Sequence, residues 1–220
     1  MSLKDIVSPL FPAVVVVQSK DSVGTGFIVD KNGFILTTAH AITDVNNVSV
    51  VTGKTNPNSI PAVVREIDRQ TDIAVLKIDA GYDLDFFSLG DSSKVRTGEE
   101  IAFIGFPLGT GIWGSYIPAI HRGIVSSVIH YTIQNDRGPK TINLFQLDGM
   151  ANPGNSGGPV ILRETGEVVA IISKLAVDKP WGDTLIIGGK PLATPTGIGI
   201  ATTISHAIDL LEKARSKRTK

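Results

Sequence analysis

The chain has 220 residues, 42% of them hydrophobic, enough to bury a full core as one domain or as two small fused lobes. Its 21 basic and 21 acidic residues cancel, which argues against nucleic acid as the main partner, and no run approaches the roughly 18 uninterrupted apolar residues of a membrane span. Cysteine is absent, so a disulfide-stapled architecture and a thiol nucleophile are both excluded, although the compartment is left open.

Residues 1–12 carry Leu10 and Phe11, but Pro9 and Pro12 break the segment, and no charged start, apolar stretch and cleavage site occur together as in a secretory leader. The chain is therefore expected to be cytoplasmic, or mature or trimmed. Short β-prone runs bounded by turn residues then recur at 13–18, 24–30, 34–38, 48–52, 62–68 and 73–78. The stretch 79–98, richer in Gly, Asp and Ser, reads as a linker. Six further runs follow at 100–105, 123–129, 144–147, 159–162, 168–175 and 197–202. Two sets of six predict an all-β chain of two six-stranded antiparallel barrels, because closure removes exposed sheet edges. The first barrel is expected over 13–78, the second over 99–203 and a C-terminal helix over 204–216. That helix is the only one the pattern predicts. Ser205 is its expected cap, Ala207, Ile208, Leu210, Leu211 and Ala214 form its apolar stripe, and Lys213, Arg215, Lys217 and Arg218 suit its C-terminal dipole.

The most chemically suggestive stretch is Asn152-Pro153-Gly154-Asn155-Ser156-Gly157-Gly158-Pro159. One serine among backbone-permissive residues reads as a tight turn that presents a hydroxyl and leaves neighbouring amides free. Acyl transfer needs two N–H donors about 3 Å from the developing oxyanion, and the amides of Gly154 and Ser156 are the natural pair. A serine nucleophile also needs a base, itself held by a third group. His40 closes the β-prone run Phe34-Ile35-Leu36-Thr37-Thr38-Ala39-His40, and Asp72 opens Asp72-Ile73-Ala74-Val75-Leu76-Lys77-Ile78. The order His, Asp, Ser matches the chymotrypsin type. His40 and Asp72 come from the first barrel and Ser156 from the second, so the cleft is expected between them.

Seven collinear segments resemble the trypsin/chymotrypsin superfamily of serine proteases, and within it the protease domain of the HtrA/Deg family. They are Gly24-Thr25-Gly26-Phe27-Ile28-Val29, Ile35 to His40, Thr71 to Lys77, Leu89-Gly90-Asp91-Ser92-Ser93, Gly123-Ile124-Val125-Ser126, Gly154 to Pro159, and Gly197-Ile198-Gly199-Ile200-Ala201. The resemblance implies a serine endopeptidase acting on unfolded or damaged polypeptides, with His40, Asp72 and Ser156 catalytic and no cofactor or metal. It also implies cleavage after small or medium aliphatic residues, with Met150, Ala151, Lys174 and Leu175 at the primary pocket. Asp148 pointing inward would instead favour basic residues. Ser173 resembles the position that supports the aspartate, the alternative being a serine ending a core strand. A homotrimer packed through the N-terminal segment is implied as well, against a loosely docked terminus, as is a cell-envelope or periplasmic setting. The peptide-binding PDZ domain that follows this helix in longer family members is not encoded in these residues. The competing reading is a latent or non-catalytic peptide-binding module on the same fold.

His121, His130 and His206 lack the context of His40, and Asp44, Asp68 and Asp79 lack that of Asp72. The histidines are not at metal-ligand spacing. The sequence departs from the resemblance in three long connections, 109–122, a polar hairpin at 131–141, and the Gly/Pro-rich 178–196. Pro153 stands where a basic residue is common, which bears on how readily the oxyanion-binding turn forms.

Overall fold

The structure, a computed structural model, describes residues 2–52, 59–107, 116–135, 138–149, 152–178, 186–187, 190–191 and 194–217, with backbone alone at 135, 174–178, 186–187, 190–191 and 194–197. Six strands form the first sheet: β1 (Val14–Ser19), β2 (Ser22–Ile28), β3 (Phe34–Thr37), β4 (Val48–Thr52), β5 (Ser59–Asp68) and β6 (Ile73–Ile78). They pair in the order β1-β2-β3-β6-β5-β4, and β4 closes back onto β1. The second sheet is built from β7 (Glu100–Gly105), β8 (Ala119–Asn135), β9 (Gly138–Asp148), β10 (Pro159–Leu162) and β11 (Val168–Asp178). After a small two-stranded sheet, β12 (Ile186–Ile187) with β13 (Lys190–Pro191), the strand β14 (Thr194–Thr203) completes it. Its order, β7-β8-β9-β14-β11-β10, again closed, repeats the topology of the first barrel strand for strand.

The two-residue period of a strand sorts the core. In β7, Ile101 and Phe103 point into the second barrel with Phe145, Leu147, Val160 and Ala201, while Ala102 and Ile104 point the other way, into the cluster shared with the first barrel. Val14 to Val17 are buried on both faces of β1, which explains why that strand reads as an unbroken apolar run instead of an alternation.

The polar hairpin at 131–141 is an extension of β8 and β9, paired from Tyr131 with Ile142 out to Asn135 with Gly138. The sequence pattern places these strands only at 123–129 and 144–147, because the stretch 131–141 that extends them carries mostly polar residues. The N-terminal segment adds a short helix, α1 (Leu3–Val7), and a 3-10 turn, Ser8–Ala13. A capping box between Ser2 and Asp5 starts α1, and Leu3, Ile6, Leu10 and Phe11 pack on the core. The pattern missed α1 because so short a helix depends on that docking.

The C-terminal helix, α2 (Ile204–Ser216), leaves the second barrel and packs back on β5 and β6 of the first. Thr203 occupies its N-cap position without a side-chain cap, and Ser205 lies inside the first turn, correcting the cap expected from sequence. Thr203 Oγ1 is instead committed to the Asn143 carbonyl at 3.2 Å. Glu66 of β5 is buried beneath Lys213 and Lys217, and Arg215 pairs with Asp30 at 2.6 Å. A second tie between barrels is Lys140 of β9 with Asp68 of β5, at 2.7 Å. No helix among the described residues is long and apolar enough to cross a membrane.

Candidate active site

Strand pairing brings His40 and Asp72 together. In the β3/β6 ladder Thr37 faces Ala74, so the residues just after β3 lie beside those just before β6, and the amide of Ala39 donates to the Asp72 carbonyl at 3.1 Å. His40 sits in the 3-10 turn Ala39–Ala41 that ends this run. Asp72 adopts a left-handed backbone, φ 59°, a strained conformation for a non-glycine residue that surrounding bonds must hold.

Those bonds converge on its carboxylate. Oδ1 accepts from the His40 backbone amide at 3.0 Å, and Oδ2 lies 2.8 Å from His40 Nδ1. Ser173 Oγ, from β11 of the other barrel, donates to the same Oδ2 at 2.7 Å. The side chain of Asp72 is 14% exposed and that of His40 47%, so the carboxylate forms the inner end of the pair and the imidazole faces the cleft. Burial pushes the Asp72 carboxyl up, but the bonds from His40 and Ser173 outweigh it and hold the group below its ordinary range. It is therefore anionic at neutral pH, an acceptor that fixes the proton of the imidazole on Nδ1 and leaves Nε2 as the basic nitrogen.

Ser156 lies on the turn between β9 and β10. Asn155 donates to the Asn152 carbonyl at 3.0 Å, with Pro153 second and Gly154, at φ 94°, third. This is a type II β-turn, whose second position suits the fixed φ of proline and whose third requires glycine. Gly157, at φ 89°, is the other glycine the turn demands, since a Cβ there would stand 1.9 Å from the Thr25 carbonyl. The amides of Asn155, Gly157 and Gly158 donate to the carbonyls of Asn152, Ile172 and Asn155. Among the described residues, those of Gly154 and Ser156 donate to no protein acceptor. The alternation leaves two free N–H groups, two residues apart, beside the serine.

His40, Asp72 and Ser156 line one cleft of about 550 Å³, closed on its sides by Arg69, Pro153 and Ile172. The hydroxyl of Ser156 donates to the Ser173 carbonyl at 3.3 Å. A strand-end imidazole paired with a half-buried carboxylate, in one cleft with a serine on a glycine turn with free amides, is an arrangement suited to acyl transfer. A sequence profile of the trypsin-like peptidase domain matches residues 24–171, more than half of the chain.

The chain belongs to the trypsin-like peptidase family. It is 27% identical over 232 residues to the mitochondrial serine protease HTRA2 of Drosophila virilis, covering 99% of this chain and 49% of that protein. The same identity and length relate it to HTRA2 of Drosophila grimshawi, with 99% and 48% covered. Against a probable periplasmic serine endoprotease, DegP-like, of Pseudomonas putida strain W619, identity is 35% over 158 residues, 72% of this chain and 30% of that protein. The chain thus spans about half the length of the HTRA2 relatives and a smaller part of the DegP-like one.

Of the positions expected at a primary pocket, Met150 and Ala151 lie outside the described residues. Lys174 and Leu175 are described by backbone only, paired in β11 with Ile200 and Gly199. Asp148 ends β9, exposed, and is not among the residues lining the cleft. Two residues of the turn's surroundings escaped the sequence reading. Thr25 of β2 bonds to the turn with both backbone and side chain. His121 of β8 stacks on Phe103, centroids 4.7 Å apart, with Nε2 3.4 Å from Nδ2 of the fully buried Asn155. No local signal marks either, since a threonine in a strand and a histidine beside a strand are ordinary there. Among the described residues no group of acidic, histidine or cysteine side chains is arranged to hold a metal.

Proposed function

We propose that the chain is a serine endopeptidase in which Ser156 attacks a peptide carbonyl, His40 takes and returns the proton, and Asp72 holds the imidazole and stabilises its cation. The observation that carries this reading is the pairing of His40 Nδ1 with the half-buried, anionic Asp72 at 2.8 Å, in the same cleft as Ser156. Attack transfers the serine proton to His40 Nε2 while the carbonyl carbon becomes tetrahedral. The amides of Gly154 and Ser156 receive the oxyanion, a contribution of about 3 kcal/mol per donor in comparable sites. Collapse returns the proton to the leaving amine, and water then hydrolyses the acyl-enzyme by the same route.

The substrates proposed are unfolded or damaged polypeptides, cut after small or medium aliphatic residues. Support comes from the resemblance to HtrA-type proteases. The same resemblance points to assembly as a homotrimer through the N-terminal segment. Sedimentation at micromolar concentration tests that, a monomer alone contradicting it.

One observation favours a second reading, a latent peptide-binding state. The Ser156 hydroxyl is committed to the Ser173 carbonyl, so it must rotate toward His40 before attack. Digestion of reduced, unfolded casein by the chain and by Ser156→Ala separates the two. Cleavage abolished by the substitution supports the peptidase, and casein bound but uncut by both proteins supports the latent module.

A further inference from the structure

The peptides of the nucleophile turn are held in alternation. The Gly154–Asn155 peptide is fixed at both ends, its N–H donating to the Asn152 carbonyl at 3.0 Å and its C=O accepting from Thr25 Oγ1 at 2.6 Å. The Ser156–Gly157 peptide is likewise fixed at both ends, its N–H donating to the Ile172 carbonyl at 2.7 Å and its C=O accepting from the Thr25 amide at 2.8 Å. The free N–H groups of Gly154 and Ser156 belong to the two peptides that alternate with these. Thr25 therefore supplies two of these four bonds, and its hydroxyl is the one side chain among them.

That hydroxyl is used both as donor and as acceptor. It donates to Gly154 and accepts from the amide of Phe106 at 3.0 Å, at a fully buried position. It so joins three segments: β2 of the first barrel, the end of β7 in the second, and the turn, 129 residues away in sequence from Thr25. The Thr25 carbonyl is held in turn by Thr37 Oγ1 at 2.7 Å, on the strand that leads to His40. A rigid tie of this kind suits a site whose donors must be oriented before charge develops.

We propose that Thr25 is a positioning residue for the oxyanion-binding amides. Its hydroxyl orients the Gly154–Asn155 peptide and so keeps the Gly154 and Ser156 N–H groups turned out of the protein and available to the transition state. The proposal rests on the serine-peptidase reading above. Valine has nearly the shape of threonine but strands both the Gly154 carbonyl and the Phe106 amide, whereas serine keeps the bonds and loses a methyl group.

The test compares the unsubstituted chain, Thr25→Val and Thr25→Ser on a peptide p-nitroanilide ending in valine, with kcat and KM resolved and folding followed by circular dichroism. Because the amides act on the transition state more than on bound substrate, Thr25→Val should lower kcat by about 30-fold or more with KM within about 2-fold, and Thr25→Ser should stay within about 3-fold in kcat. A folded Thr25→Val with unchanged kcat, a loss confined to KM, or a Thr25→Ser as impaired as Thr25→Val would overturn the inference. If Thr25→Val lacks a cooperative melt, Thr25→Ala takes its place under the same criterion, and failure of both to fold makes the residue structural and overturns the inference too. An unsubstituted chain that neither cleaves the peptide nor reacts with a fluorophosphonate overturns the peptidase reading itself, a result distinct from an active chain indifferent to Thr25.

Discussion

Ser173 and Asp72 meet across the two barrels: the Ser173 hydroxyl donates to Asp72 Oδ2 at 2.7 Å, on the oxygen that also faces His40 Nδ1. The carboxylate paired with the imidazole is thus held from the barrel that carries Ser156. Ser173→Ala removes one bond to a charged group, about 1.5 kcal/mol, so kcat is expected to fall about tenfold with KM little changed. The Asp72 carboxyl should titrate higher, moving the acid limb of the activity profile toward neutral pH. Steady-state kinetics across pH checks both.

Gly157→Ala tests the closeness of the turn to β2. The new Cβ would stand 1.9 Å from the Thr25 carbonyl and 2.5 Å from Thr37 Oγ1, at a backbone φ of 89°. Backbone strain and overlap together should cost more than about 3 kcal/mol. Urea melts are expected to show a large loss of stability, and any folded fraction should be inactive.

Two half-buried histidines predict a pH dependence of stability. Burial pushes His121 and His206 below their ordinary value of 6.5, and Lys140 adds to the effect on His206. His206 Nε2 accepts the Asn143 amide at 2.9 Å, which only the neutral ring can do. Below about pH 6.5 the unfolded chain binds more protons than the folded one, so stability falls as pH drops from there through the folded values. Thermal melts of His206→Gln should show a shallower fall over that window.

Glu66 pairs with both lysines at the end of α2. Burial pushes its carboxyl up, but the bonds from Lys217 and Lys213 outweigh that and hold it below 4.5. Its contribution is complete above that value and is lost as acidification protonates the folded form. Glu66→Gln should lower the melting temperature at neutral pH and flatten the acid limb, and lysine reactivity at 213 and 217 should rise as the helix loosens.

Much of this was legible locally. The strands of the first barrel follow from β-branched runs such as Val14 to Val17, and the glycine, threonine and strand-end context around His40, Asp72 and Ser156 picks out three residues that line one cleft. Features built from long-range contacts were not. The Ser173 hydroxyl reaches Asp72 over 101 residues and that of Thr25 reaches Gly154 over 129, and nothing within a strand's own sequence says which partner its polar residue will face. The cap of α2 was misread for the same reason, because Thr203 spends its hydroxyl on Asn143 of β9. The extensions of β8 and β9 pair with each other through a mostly polar stretch, 131–141, which carries no clear strand signal.

The most direct measurement of the central claim is reaction with a fluorophosphonate, located by peptide mass analysis, in the unsubstituted chain, Ser156→Ala, His40→Ala and Asp72→Asn. The account predicts a single adduct on Ser156 that is absent from Ser156→Ala, abolished in His40→Ala and slowed by about 10⁴ in a folded Asp72→Asn, as expected when the imidazole loses its orienting anion. An adduct on another serine, or an unmodified Ser156 in well-folded protein, would contradict it.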